Sequence, residues 1–175
     1  MVTVRVAVME DADAIARLTA EVQQLHNEAL PDIFKTPSDR LFSREKLASL
    51  LRDANSTVAV AESEGDVIGH VYGIIMQRAE NDFKVADKYM YIQQIGVCKD
   101  FRRRGVGKAL IAFIEGRAAA SAVAGIQLDY WAFNTRAQSF FESCGFSPSQ
   151  VLMRRTLQPQ SKSVPVTERR FAAKP

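Results

Sequence analysis

The 175-residue sequence has few cysteines and no long apolar run. Its two cysteines, Cys98 and Cys144, are too few for the disulfide framework of small secreted domains. No apolar stretch approaches the roughly 18 residues that a membrane-spanning helix needs. Residues 2–8 alternate apolar and other side chains instead of forming the basic and then apolar segments of a signal peptide. We therefore expect a cytoplasmic protein with free, buried thiols and no membrane partner.

Excess charge of one sign is also scarce. The net charge is only +3, and all of that excess lies after Leu157, in a segment where prolines stand among Gln, Ser and Lys. Residues 1–157 are balanced, so they offer no broad basic face for nucleic acid. We predict a single domain over 1–157 and a loose tail over 158–175. The tail is either a solvated end or an arm for an acidic partner or a second subunit.

The periodicity of apolar residues predicts an α/β fold. The predicted order is strand, helix, helix, three strands, helix, strand, helix, strand, with the later strands at 88–98, 125–131 and 146–157. A hairpin turn at Gly65 makes the first half antiparallel. Residues 90–131 form a strand, a helix and a strand, which predicts a parallel crossover. The result is a single mixed central sheet flanked by helices.

A run of arginines and glycines separates the strand at 88–98 from the next helix. It is Arg102-Arg103-Arg104-Gly105-Val106-Gly107-Lys108. A glycine-bearing turn that opens a helix exposes backbone N–H groups at the positive end of the helix dipole, which favours a phosphate ligand. Guanidinium groups bind phosphate oxygens in pairs. A solvated basic turn is the alternative interpretation.

Two common phosphate motifs do not fit this turn. A P-loop needs Ser or Thr after its lysine, and here Ala109 follows Lys108. A dinucleotide fingerprint needs a third glycine where Leu110 stands, although Asp129 lies near the distance of a ribose-binding acid. The remaining pattern is Arg/Gln-x-x-Gly-x-Gly/Ala, which Arg102, Gly105 and Gly107 satisfy.

A second motif follows at residues 134–146. This segment, Asn-Thr-Arg-Ala-Gln-Ser-Phe-Phe-Glu-Ser-Cys-Gly-Phe, is similar to the pattern Asn-x-x-Ala-x-x-Phe-Tyr-x-x-x-Gly-Phe. With residues 92–110, it resembles the GNAT superfamily of acetyl-CoA-dependent N-acetyltransferases. The resemblance spans about a third of the chain, and the predicted element order matches over residues 2–157. It implies a GNAT-like acyltransferase fold.

The resemblance also implies a site for acetyl-CoA. The diphosphate would lie on the amides of the bend, the pantetheine arm beside the strand, and the second motif on the other side of that arm. The implied cofactor-binding residues are Ile95, Gly96, Val97, Arg102, Arg103, Arg104, Gly105, Val106, Gly107, Lys108, Asn134, Phe140 and Phe141. Asn134 is also a plausible helix N-cap, and both phenylalanines fit an ordinary core face.

The catalytic groups of the family are not evident in this chain. The family often places a carboxylate on the strand before the bend, where this sequence has Gln93 and Gln94. It often uses a tyrosine in the second motif, where this sequence has Phe141. The general base is unassigned, with His26, Glu28 and Asp32 as candidates and a surface histidine as the plainer interpretation of His26. Tyr89, Tyr91 and Tyr130 are candidate proton donors.

Two functions follow from these observations. The first is an N-acetyltransferase that moves an acetyl group from acetyl-CoA to a primary amine of a small molecule or peptide, by direct attack in a ternary complex. The second is a catalytically idle acyl-CoA-binding or sensor module, favoured by the two glutamines and Phe141. Neither requires a metal or nucleic acid, and the resemblance makes a homodimer possible.

Overall fold

The computed structural model describes residues 1–38 and 41–155. Within these ranges the strands are β1 (Thr3–Val6), β2 (Ser56–Ser63), β3 (Asp66–Arg78), β4 (Asp87–Val97) and β5 (Ile126–Gln127). The helices are α1 (Ala12–Ala29), α2 (Arg44–Arg52), α3 (Val106–Ala120) and α4 (Thr135–Ser143). Short 3-10 turns at Met9–Asp11 and Lys99–Phe101 precede α1 and the arginine bend.

The five strands form one mixed sheet in the order in which they occur along the chain. Neighbouring strands from β1 to β4 are antiparallel, and β5 is parallel to β4. The connection through α3 allows that parallel pairing, because parallel neighbours need a crossover. The predicted α/β fold with a mixed sheet flanked by helices is therefore confirmed.

The helices form one layer on each face of the sheet. Strand β2 shows the division, because Val58 and Val60 pack with α1 and α2, whereas Ala59 and Ala61 pack with α3. Successive side chains of a strand point to opposite faces, so one strand contributes to both cores. The core on the side of α3 and α4 also contains Val71, Met90, Leu110, Ile114 and Phe141.

An ion pair with a buried carboxylate fixes the start of α1 against the sheet. Arg5 on β1 donates to both carboxylate oxygens of Asp11, at 2.7 and 3.0 Å, and the Val8 N–H donates to the same carboxylate at 2.8 Å. Burial would raise the pKa of Asp11, but these hydrogen bonds outweigh it and hold the pKa below its ordinary value. The pair therefore sets where α1 crosses the sheet.

The predicted closing strands at 146–157 are wrong within the described residues. Residues 146–155 form no strand, and residues 156–157 lie outside the described ranges, as does the predicted tail at 158–175. Pro148 cannot donate to a ladder, and Val151, Leu152 and Met153 are exposed instead of packed on the sheet. The strand predicted at 125–131 is limited to Ile126–Gln127, because β4 diverges from it beyond Tyr91.

No helix in the described part of the chain is long and apolar enough to cross a membrane. Cys98 and Cys144 are free thiols, each half-buried. The two cysteines are free as predicted, but they are half-buried instead of buried, and the predicted cytoplasmic location stays a prediction.

Candidate active site

An opening separates β4 from β5. The two strands pair only at Met90 with Ile126 and at Tyr91 with Gln127, whereas β4 continues beside β3 as far as Val97. The edge of β4 that faces β5 therefore has no ladder partner from residue 92 onward in the ranges described. Ile95, Gly96 and Val97 lie along this edge. Unpaired backbone groups at such an edge can bind an extended, amide-bearing ligand.

The bend after β4 presents further unpaired amides. Gly105, at φ +84°, is the N-cap of α3, and the first backbone bond of the helix runs from the Ala109 N–H to the Gly105 carbonyl at 3.0 Å. Within the described residues, the N–H groups of Val106, Gly107 and Lys108 have no acceptor, and no side chain caps them. They point out of the positive end of α3, which is the arrangement that binds phosphate.

The three arginines of the bend differ in their surroundings. Arg102 turns back to the sheet, because its Nε donates to the Val97 carbonyl at 2.9 Å and its Nη2 lies 3.6 Å from a Glu21 carboxylate oxygen on α1. The Arg104 guanidinium lies over the Phe101 ring, 5.6 Å from its centroid. Arg103 is exposed and has a positive φ of 64°. Arg102 thus braces the bend, whereas the charges of Arg103 and Arg104 remain available to a ligand.

Helix α4 borders the bend on the side of the sheet that α3 covers. A Cβ atom at Gly107 would lie 2.9 Å from Cζ of Phe140, so only glycine permits this close approach. Phe141 is buried in the core, with its ring 5.9 Å from that of Phe146. The Oδ1 of Asn134 accepts from the Ala137 N–H at 3.1 Å, which leaves the amide nitrogen of Asn134 for another partner.

Two groups mark the narrow end of the opening. Tyr91, the last residue of β4 paired with β5, donates its hydroxyl to Asp129 at 2.5 Å. Burial, together with the hydrogen bond and charge of Asp129, raises the pKa of Tyr91 to about 12. Tyr91 therefore keeps its proton at neutral pH.

The candidate bases lie on α1 and just after it. His26 donates its Nδ1–H to the Val22 carbonyl at 2.7 Å, because a carbonyl oxygen can only accept. Its ring packs against Phe34 and Phe133, at centroid distances of 4.8 and 5.6 Å. Glu28 accepts from Gln24 at 2.6 Å, and Asp32 is exposed. No contact distinguishes one of the three as the base.

Sequence reasoning missed His70. Its side chain is fully buried in β3, its Nε2 lies 3.3 Å from Oε1 of Gln94, and its Nδ1 has no partner among the described residues. Burial lowers the pKa of His70 to about 4, and the hydrogen bond to Gln94 opposes that shift only in part. Strand alternation places His70 on the face that α1 covers. Its partner depends on the register of β3 with β4, which periodicity does not give.

Comparison with known proteins identifies the family. The model of the acetyltransferase (GNAT) family matches residues 19–146, and the chain therefore belongs to the GNAT acetyltransferases. No curated protein matches it.

Several solved structures share the fold. A variant of the BH1408 protein from Bacillus halodurans is similar with a TM-score of 0.85 and 25% identity, over 89% of this chain and 99% of that one. The aminoglycoside acetyltransferase AAC(6')-Iy, solved with a bisubstrate analogue, has a TM-score of 0.68 and 19% identity, over 90% and 99% of the chains. A transcriptional regulator from Bacillus halodurans has a TM-score of 0.70 and 17% identity, over 90% and 100%.

Proposed function

We propose that this protein is an N-acetyltransferase that moves the acetyl group of acetyl-CoA to a primary amine of a small molecule or peptide. The observation that carries this proposal is the unpaired edge of β4 leading to the uncapped amides of α3. An extended thioester with a diphosphate at one end fits both features at once.

The chain's residues divide the binding of CoA between them. The amides of Arg103 to Lys108 hold the diphosphate, with charge from Arg103, Arg104 and Lys108. The arm lies along Ile95, Gly96 and Val97, with the free amide nitrogen of Asn134 beside it. Phe140 supplies apolar surface at the start of α3, and Phe141 supports it from the core.

The chemistry is direct attack in a ternary complex. The amine nitrogen bonds to the thioester carbonyl carbon, the carbon–sulfur bond breaks, and the thiolate of CoA leaves. An ordinary alkyl amine has a pKa near 10.4, so roughly one molecule in a few thousand is neutral at pH 7. Removal of its proton is the harder task, because a thiolate whose parent pKa is about 8.5 leaves readily. Gln93 and Gln94 cannot accept that proton, so the base is His26, Glu28, Asp32 or water.

One relative supports the ternary complex. AAC(6')-Iy is solved with CoA-S-monomethyl-acetylneamine, a bisubstrate analogue in which the donor and the acceptor are joined. We extend this arrangement to the present chain, in which the donor lies on the α3 side of the opening and the acceptor enters from the α1 side.

The described residues contain no group of His, Cys, Asp and Glu that could hold a metal ion. A cytoplasmic location and a homodimer remain predictions.

The test combines CoA binding with acetyl transfer. Calorimetric titration with CoA should show one site per chain, and acetyl-CoA with a panel of amines should release free thiol and add acetyl mass to an acceptor. The double variant Arg103→Glu with Arg104→Glu should weaken CoA binding about ten- to hundredfold, because two charge-assisted contacts become repulsive. Gly107→Trp is a poorer probe, because it displaces Phe140 as well as blocking the bend.

The matched control is the double variant Lys99→Glu with Arg52→Glu, an equal charge change at two exposed residues outside the bend, which should alter CoA affinity less than twofold. Equal weakening in both would mean that CoA is attracted by general charge and not held by the bend. Tight CoA binding with no thiol release across a broad panel would favour the idle acyl-CoA module instead.

A further inference from the structure

A buried polar cluster on the α1 side of the sheet lies next to the opening. The hydroxyl of Thr19 on α1 donates to Oε1 of Gln94 on β4 at 3.3 Å, and Nε2 of His70 on β3 reaches the same oxygen at 3.3 Å. Thr19 and His70 are both buried, at 3% and 0% exposure. Two elements, α1 and β3, thus converge on one amide oxygen of a third, β4, and neither the family's motifs nor the binding of CoA accounts for it.

The hydrogen bonds of this cluster distinguish the side-chain oxygen of Gln94 from its side-chain nitrogen. His70 is neutral in its buried site, so one ring nitrogen carries a proton and the other does not. With the Gln94 oxygen facing Nε2–H, the unpartnered Nδ1 is only an acceptor. With the amide turned over, Nδ1 would be a buried N–H without an acceptor, which is the rarer and more costly state. The amide oxygen therefore faces inward, toward Thr19 and His70.

The nitrogen of Gln94 consequently faces outward. It has no hydrogen-bond acceptor within the described residues, and it is not among the buried unpartnered atoms, so it reaches solvent-accessible space. A bulge in the pairing of β3 with β4, at Tyr72 and Gly73, falls beside Gln94 at the start of the unpaired edge. The structure therefore presents two oriented N–H groups on the α1 side of the sheet, on a residue next to the unpaired edge of β4.

The alternation of side chains along β4 determines whether these N–H groups face acetyl-CoA or the amine acceptor. Ile95 and Val97 face the core on the side of α3, where the bend would hold the diphosphate. Gln94 faces the opposite layer, beneath α1, and the ring of His70 lies against Gly96 on that same face. The donor enters from the α3 side, so the group that approaches Gln94 belongs to the acceptor.

We propose that Gln94 is a specificity-determining residue, whose amide N–H groups bind an oxygen next to the reacting amine of the acceptor, and that Thr19 and His70 are the positioning residues that aim them. The acceptor class is then an amine with a carbonyl or hydroxyl oxygen two bonds beyond its α-carbon, as in an amino-acid amide or an amino sugar. This inference rests on the proposed function, because it assigns the acceptor side of that site.

The first experiment compares glycinamide, which carries such an oxygen, with propylamine, which does not. The ratio of their kcat/KM values should fall at least tenfold in Gln94→Met relative to the unmodified protein, while the KM for acetyl-CoA changes less than twofold. The two amines differ in basicity, but that difference is the same for every variant and cancels in the comparison. Gln94→Glu, which replaces the donor by an acceptor, should lower the ratio at least as far.

Matched variants distinguish a change in the orientation of the Gln94 amide from a general effect on folding. Gln93→Met changes the neighbouring exposed glutamine and should leave the ratio unchanged. Thr19→Val replaces the hydroxyl with a methyl group of similar size, and it should raise the KM for glycinamide severalfold without changing kcat. Thr19→Ser, which keeps a hydroxyl, should retain the native value. A ratio unchanged in Gln94→Met, or lowered equally in Gln93→Met, would overturn the proposal.

A second measurement does not require turnover. The side-chain amide signal of Gln94, assigned by its absence in Gln94→Glu, should shift in a nitrogen–proton correlation spectrum when glycinamide is added to the CoA-saturated protein. Propylamine should not shift it. If glycinamide moves other signals but leaves that of Gln94 in place, the inference fails while the proposed function stands. Failure of CoA to bind would instead count against the proposed function itself.

Discussion

The cost of burying a charge explains why one buried residue of this fold, Asp11, is ionised and another, His70, is neutral. Asp11 is buried and ionised because Arg5 donates to both of its oxygens. His70 is buried and neutral, because its hydrogen-bond partner is the uncharged amide of Gln94 and no charged group contributes to its pKa. A neutral His70 donates its Nε2–H to the oxygen of Gln94 and thereby orients that amide. The same burial lowers the pKa of His70 and therefore costs stability in acid.

The pKa of His70 predicts how stability depends on pH. The folded protein holds a pKa of about 4, whereas the unfolded chain has the ordinary value of 6.5, so the unfolded chain binds more protons between these values. Stability is therefore complete above about pH 6.5 and falls as the pH approaches 4. Urea unfolding should show about 2 kcal/mol less stability at pH 5 than at pH 7.

The control for this prediction is the other histidine of the chain. His26→Gln should keep the loss of stability between pH 7 and pH 5, whereas His70→Gln should abolish most of it, whatever its effect at pH 7. The carboxylate of Asp11, whose pKa is lowered, is ionised in both states above pH 5 and contributes only in stronger acid. An equal loss in His70→Gln would show that His70 is not the responsible group.

At the scale of elements, the bend before α3 combines a strained backbone at Arg103 with exposed backbone N–H groups at the start of the helix. Arg103 holds a φ of 64°, where a side chain costs about 1 kcal/mol relative to glycine. The uncapped N–H groups of α3 begin three residues later, at Val106, so the strained residue lies directly before the exposed donors. We therefore expect the backbone at position 103 to stay left-handed when its side chain is changed.

Paired substitutions test this strain. At position 103 we expect glycine to be more stable than alanine by about 1 kcal/mol, because the backbone there is left-handed. At Lys108, in the first turn of α3, alanine should be more stable than glycine by up to about 1 kcal/mol, because the backbone is helical. Urea unfolding of the four single variants measures both differences. The same sign at both positions would mean that residue 103 is not left-handed in solution.

The elements and the bend follow from local signals, whereas the contacts within the site do not. Asn134 caps its helix as expected, and Ser43 caps α2 in the same way, because capping involves residues three positions apart. The direction of Arg102 was not predictable, because its partners Val97 and Glu21 come from two other elements. The contact of His70 with Gln94 requires a register that includes a bulge, and periodicity of two carries no information about bulges.

At the scale of the whole molecule, the site depends on the divergence of two strands held by different layers. Strand β4 is paired with β3 along its length and covered by α1, whereas β5 pairs over two residues and continues into α4. Arg5 and Asp11 fix α1 on one face, and Phe140 against Gly107 fixes α4 near the start of α3 on the other. The opening is thus an outcome of the whole packing and belongs to no single motif.

The segment after α4 provides the last test, because the sequence predicts closing strands over residues 146–157, whereas the described residues 146–155 form none. Val151, Leu152 and Met153 are 78%, 91% and 88% exposed, so they bury almost no apolar surface in the isolated chain. Leu152→Ser should therefore change the free energy of unfolding by less than about 0.5 kcal/mol. Phe141→Ala, at a buried aromatic residue on α4, should cost about 3–5 kcal/mol. Urea unfolding at low protein concentration measures both, and a loss above about 1 kcal/mol in Leu152→Ser would show that this segment packs on the sheet in solution after all.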